Sequence, residues 1–181
     1  MGTFGKKIAA IIITSIACIG VAEAHDVNIT GDISAAGCDM MVSPAYIQMG
    51  TFKTDDAAFR TAGTVLKTSK IMVTLSNCGS AAPTAALQPG MKVETDHTGA
   101  TDEDFVDPKQ NSVAVNLFSD SAATTKVSNN DIVDIGASVP ATTGTQPNGR
   151  SESYPIKLVT TGAGPTVGYF NIPLHLNYEP N

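Results

Sequence analysis

The amino-acid sequence predicts an antiparallel all-β sandwich. Three observations carry this. Apolar residues recur at every second position in several short runs, Gly, Pro, Asn and Asp cluster between those runs, and helical periodicity is almost absent. With 16 Gly and 10 Pro in 181 residues, turn formers are frequent enough to punctuate a chain of short strands.

The chain opens on Lys6 and Lys7, an apolar run from Ile8 to Val21, and Ala22-Glu23-Ala24. A basic start, a short greasy stretch and small residues at the last and third-last positions predict a secretory signal peptide over residues 1–24. The run is too short for a membrane span, which needs about 20 apolar residues. Cleavage after Ala24 takes 24 of the 181 residues and leaves 157, the size of one domain with its own core. Lys6, Lys7 and Glu23 leave with it, so 11 basic and 17 acidic side chains become 9 and 16, a net charge of −7. An acidic surface disfavours nucleic acid and anionic membrane as partners.

The first mature element is Val27-Asn28-Ile29-Thr30-Gly31-Asp32-Ile33, whose apolar residues share one face. Its glycine falls on that face, where a missing side chain lets another backbone approach closely. Such a strand suits either its own sandwich or another molecule's sheet. Of three cysteines, Cys18 leaves with the signal. Cys38 and Cys78 remain, and in an exported chain the pair predicts a disulfide that pins the end of the first strand to a later one.

Further on, Tyr46 to Phe52 suggests a second strand, and Ala57 to Thr68 includes one helical turn. Ile71, Val73 and Leu75 alternate up to Cys78. Residues 80–89 form a loop of small side chains, Met91 to Glu94 a short strand, and Thr95 to Gln110 a polar loop. Val113, Val115 and Leu117 mark the clearest central strand. Ile132, Val133 and Ile135 give a short one, followed by the turn-rich stretch from Ala137 to Arg150. Tyr154, Ile156 and Leu158 alternate, and Gly168, Phe170, Ile172, Leu174, Leu176 and Tyr178 form the longest clean alternation. Periodicity leaves two architectures open, a complete sandwich and one short of an edge strand.

No catalytic constellation emerges. His25, His97 and His175 are far apart in sequence, and each reads as a surface histidine. There is no nucleophile elbow, phosphate loop or His-Glu-x-x-His. Asp102, Glu103, Asp104 and Asp107 lack the spacing of a calcium loop. The expectation is a protein that is not an enzyme, with no cofactor and no metal.

The order of features is more specific than any one of them. A signal peptide precedes Val27-x-Ile29-x-Gly31-x-Ile33, then Cys38, then Leu75-Ser76-Asn77-Cys78, then the terminal Gly168-to-Tyr178 alternation. This resembles the structural subunits of chaperone–usher fimbriae, the type 1 and P pilus pilin family, over essentially the whole mature chain. The resemblance implies an incomplete immunoglobulin-like antiparallel β-sandwich, short of its seventh strand and completed by a donor strand from another subunit. It divides the mature chain, 25–181, into a donor segment at 25–34 and a sandwich at 35–181. Val27, Ile29 and Ile33 would enter pockets of a neighbour, with Gly31 at the narrow site. Gly168, Phe170, Ile172, Leu174, Leu176 and Tyr178 would line the groove and contact a periplasmic chaperone, with the Asn181 carboxylate as its anchor.

The implied function is a fimbrial subunit assembled by donor-strand exchange and contributing to cell adhesion. Its implied partners are that chaperone, an outer-membrane usher, other pilin subunits and a host receptor, at the cell surface after passage through the periplasm. Only His25 and Asp26 precede Val27, a short donor that points to a minor, tip-proximal or specialised subunit, while the three residues after Tyr178 depart from the family's pattern at the chaperone anchor. The alternative function is a self-complete secreted β-sandwich that recognises a glycan or protein through loops such as 95–110 and 137–150.

Overall fold

The computed structural model describes residues 37–79, 86–140 and 147–180, all within one compact unit, Ser34–Asn181. The expected signal peptide, the expected donor segment Val27 to Ile33 and Asn181 lie outside the described residues. Among the described residues there are eight strands and no α-helix: β1 (Asp39–Ser43), β2 (Val65–Ser76), β3 (Gly90–Glu94), β4 (Phe105–Asp107), β5 (Gln110–Leu117), β6 (Ile132–Asp134), β7 (Ser151–Thr160) and β8 (His175–Tyr178). They form a five-stranded sheet, β1-β2-β7-β5-β4, and a three-stranded sheet, β6-β3-β8. Every pairing is antiparallel. The predicted all-β class is the observed one.

The period-two pattern explains why these residues pack as two layers. Val73 and Leu75 of β2, Val115 and Leu117 of β5, and Ile156 and Leu158 of β7 enter one core with Met91 and Val93 of β3 and Val133 of β6. Each such side chain taken out of water contributes about 1.5–3 kcal/mol, which is what holds the layers face to face. Phe59, in the 3-10 turn Ala57–Arg60, plugs the same core, and the Asp56 side chain caps that turn by accepting from Ala58 N. This is the helical turn expected between Ala57 and Thr68.

Cys38 and Cys78 are joined by a disulfide. Cys38 precedes β1, and Cys78 lies two residues past β2. The antiparallel pairing Asp39↔Ser76 brings them together. Asn77 makes the approach with a left-handed backbone, φ 47°, and its Nδ2 donates to Asp39 Oδ2 at 2.8 Å. The bridge therefore ties the residue ahead of β1 to the end of β2, and the run Val27 to Ile33 lies outside the described residues.

Four sequence expectations are corrected. Tyr46 to Phe52 holds no strand, because its apolar residues pack inward without a ladder: Met49 is buried, and Ile47 and Phe52 rest on the core. The strand in that region is β1, which ends three residues before Tyr46. The polar loop from Thr95 to Gln110 contains β4, with Phe105 and Val106 buried. The central strand of the larger sheet is β7, with β5 between β7 and β4. Finally, the Gly168-to-Tyr178 alternation is a ladder-bonded strand only over His175–Tyr178. Its partner β3 pairs from Met91 to Glu94 and then turns away, and Pro173 has no N–H to continue the ladder.

Candidate strand-acceptor groove

One wall of the site is the chain leading into β8. Along it Phe170, Ile172, Leu174, Leu176 and Tyr178 turn inward and pack against the core, while Tyr169 and Val167 are 100% and 93% exposed. The alternation read from the sequence thus sorts side chains correctly even where no ladder forms. Backbone parity follows from one bond: Glu179 N donates to Gly90 O at 3.0 Å. In an antiparallel ladder successive residues direct their N–H and C=O to opposite sides. Asn177 and His175 therefore face β3 with Glu179, and Leu176, Leu174, Ile172 and Phe170 direct their backbone groups the other way. On that outer side no backbone hydrogen bond from these four residues is present among the described residues.

The opposite wall begins at β1, an edge strand whose partner is β2. β1 and β8 come into contact across the sandwich. Below that contact a cleft of about 820 Å³ opens. Val42, Ile47 and Phe52 stand on one side, and Phe170, Leu174 and Leu176 on the other. Its floor is Ile71, Val113 and Ile156, core residues of the larger sheet. The cleft is therefore an opening into the core itself, flanked by a backbone edge whose donors and acceptors have no backbone partner among the described residues. An extended segment with apolar side chains at alternate positions is the ligand that satisfies both, by burial and by a ladder of hydrogen bonds.

Polar side chains fix the far end of the β8 wall. The β4–β5 hairpin turns through Pro108 and Lys109, and Asp107 Oδ1 closes that turn by accepting from Lys109 N at 2.8 Å. The other carboxylate oxygen, Oδ2, accepts from Asn171 N at 2.8 Å. These two backbone donors, Asn171 first, hold the Asp107 carboxyl below its ordinary range. Gln110 Nε2 donates to Thr166 O at 2.6 Å, and its Oε1 accepts from Ser112 Oγ at 2.9 Å and from Thr166 Oγ1. At the other end the Tyr178 hydroxyl oxygen is buried and has no hydrogen-bond partner among the described residues. Burial pushes its pKa up, and nearby Arg150 opposes this.

The structure thus brings Gly168, Phe170, Ile172, Leu174 and Leu176 together along the cleft, and places Tyr178 beyond it at the end of β8. Val27, Ile29, Gly31 and Ile33 lie outside the described residues. Sequence reasoning missed Val42, Phe52, Asp107 and Gln110. The Asp-Pro-Lys-Gln turn was the available signal for the last two. Among the described residues no group of three His, Cys, Asp or Glu side chains is placed to hold a metal. His175 is exposed, 3.6 Å from Asp96.

No protein-family model matches the sequence, and no curated protein sequence matches it either. Solved structures do match. The P pilus rod subunit PapA superimposes with a TM-score of 0.54 at 16% identity, covering 84% of this chain and 97% of that one. A chaperone–usher pilus, from a structure concerned with rod uncoiling, gives 0.51 at 16% identity, covering 87% and 96%. At this identity the likeness speaks to the fold, and the two-sheet sandwich, the bridged Cys38–Cys78 pair and the β8 wall agree with it. The chain has the immunoglobulin-like fold of chaperone–usher pilus subunits.

Proposed function

We propose that this chain is a structural subunit of a surface fimbria, assembled by donor-strand exchange through the chaperone–usher pathway and contributing to cell adhesion. The observation that carries the reading is the pairing of an apolar cleft that reaches the core with an adjoining backbone edge, Phe170 to Leu176, whose outward groups have no ladder partner among the described residues. An exposed apolar cleft and an unpaired edge invite aggregation unless another chain covers them. A periplasmic chaperone would cover them first and a neighbouring subunit afterwards. The neighbour's segment equivalent to residues 25–34 would place Val27, Ile29 and Ile33 in the cleft and Gly31 at its narrowest point. Both solved neighbours belong to pili, which supports assembly into a polymer as the role.

The test is a denaturing gel, unheated and heated, of material sheared from producing cells. A ladder of high-mass bands that collapses to monomer on boiling is expected, and Ile29→Asp or Gly31→Asp should abolish it while the chain still binds chaperone. A monomer band alone before heating would overturn the reading.

A further inference from the structure

The chain between Thr166 and Leu174 presents a physical problem. From Phe170 on it sorts its side chains as a strand does and forms one wall of the cleft, yet β3 supports it no further than Glu94. Beyond that point the structure gives it two side-chain partners on the β3-facing side. Thr95 Oγ1 donates to Pro173 O at 3.0 Å, and Asp107 Oδ2 accepts from Asn171 N at 2.8 Å. Pro173 and Asn171 have the parity of His175, so these bonds occupy the side that β3 would have filled, and among the described residues the cleft side carries no backbone bond. Gln110 holds the entry to the same stretch through Thr166.

Asp107 is suited to this work because both of its oxygens are acceptors. One is used by its own turn, at Lys109 N, and the other by Asn171 N. It is 8% exposed and sits on the rigid β4–β5 hairpin, so the position it imposes on Asn171 is set by the larger sheet. We propose that Asp107 is a positioning residue for strand uptake: it replaces the missing ladder and keeps the edge from Phe170 to Leu174 extended and in register for the incoming strand. This rests on the donor-strand reading of the cleft.

An amide in place of the carboxylate has one acceptor oxygen and cannot serve both N–H groups. Asp107→Asn therefore keeps the turn and loses the hold on Asn171. Asn171→Pro removes the N–H and leaves Asp107 and its turn intact. The probe is a fluorescent peptide with the sequence of residues 25–34, added to the mature chain refolded from denaturant, with association followed by anisotropy. Losing one hydrogen bond to a charged acceptor is expected to slow uptake about tenfold in each variant. The double variant should be no slower than either single one, since both remove the same bond. Asp102→Asn, which removes an exposed charge from the same loop, should leave the rate unchanged, and amide exchange at residue 171 should accelerate in Asp107→Asn. Uptake at the wild-type rate by both single variants overturns the proposal. Failure of the wild-type chain itself to take up the peptide overturns the functional reading beneath it, so the two failures are distinguishable.

Discussion

The Tyr154 hydroxyl donates to the Asp134 carbonyl at 2.7 Å, so a side chain from the centre of the five-stranded sheet is bonded to the backbone of β6 in the other. Tyr154 is 1% exposed, and burial pushes its hydroxyl pKa far up, so the proton that makes the bond is present at every physiological pH. Tyr154→Phe should cost about 1–3 kcal/mol, because it strands a partly buried carbonyl. Urea denaturation of the two proteins checks this.

The same substitution at Tyr178 should have the opposite sign. Its hydroxyl is buried and has no hydrogen-bond partner among the described residues, so the desolvation cost is present and no bond there offsets it. Tyr178→Phe should leave stability unchanged or raise it by up to about 1 kcal/mol. A lower denaturation midpoint for Tyr178→Phe would show that the hydroxyl has a partner after all.

Gly90 lies on the middle strand of the smaller sheet, between β6 and β8. A Cβ there would stand 2.5 Å from Glu179 O and 2.6 Å from Ile132 Cγ2, and the first of these is backbone that cannot swing aside. Gly90→Ala should cost about 1–3 kcal/mol through overpacking. It should also loosen the end of β8, visible as faster amide exchange at Glu179, whose N–H bonds to Gly90.

The Asp107 carboxylate has a folded pKa below its ordinary value of 3.8, owing to the N–H groups of Asn171 and Lys109, with Lys109 and His97 as the charges that face it. A depressed carboxyl contributes stability that is present above the unfolded pKa and lost as the pH falls through the lower folded value. Wild type should therefore lose more stability than Asp107→Asn as the pH is taken below 3.8. Parallel melting curves at neutral and strongly acid pH read the difference.

Replacing Cys38 and Cys78 together by Ala opens a loop between residues 40 apart in sequence. The chain-entropy relation assigns such a loop about 4 kcal/mol, and the double variant should lose that order of stability in urea. Reduction of the wild-type protein should reproduce most of it.

Much of the sandwich was legible because alternation survives wherever one face is buried: Ile71, Val73 and Leu75, or Tyr154, Ile156 and Leu158, can be read directly. β1 was not, because Met41 points outward at 64% exposure beside inward Met40 and Val42, and an apolar residue on the wet face erases the pattern. β4 was hidden by its length of three residues and its acidic neighbours. The last alternation was read correctly as a face and wrongly as a ladder. Side-chain pattern reports which way residues point, whereas a ladder needs a partner of matching length, and β3 stops short. Asp107 escaped because its value depends on Asn171, 64 residues away.

The Cys38–Cys78 bridge also sets how the molecule carries tension. A pull on the chain ahead of Cys38 reaches the bridge before it reaches β1, and passes at once to Cys78 and the end of β2. Among the described residues β1 is an edge strand held by one neighbour, and it would otherwise peel away one hydrogen-bonded pair at a time. β2 is clasped between β1 and β7 and is the longest strand among the described residues. The covalent shortcut routes a mechanical load around a short edge seam of the sheet and into its longest strand among the described residues.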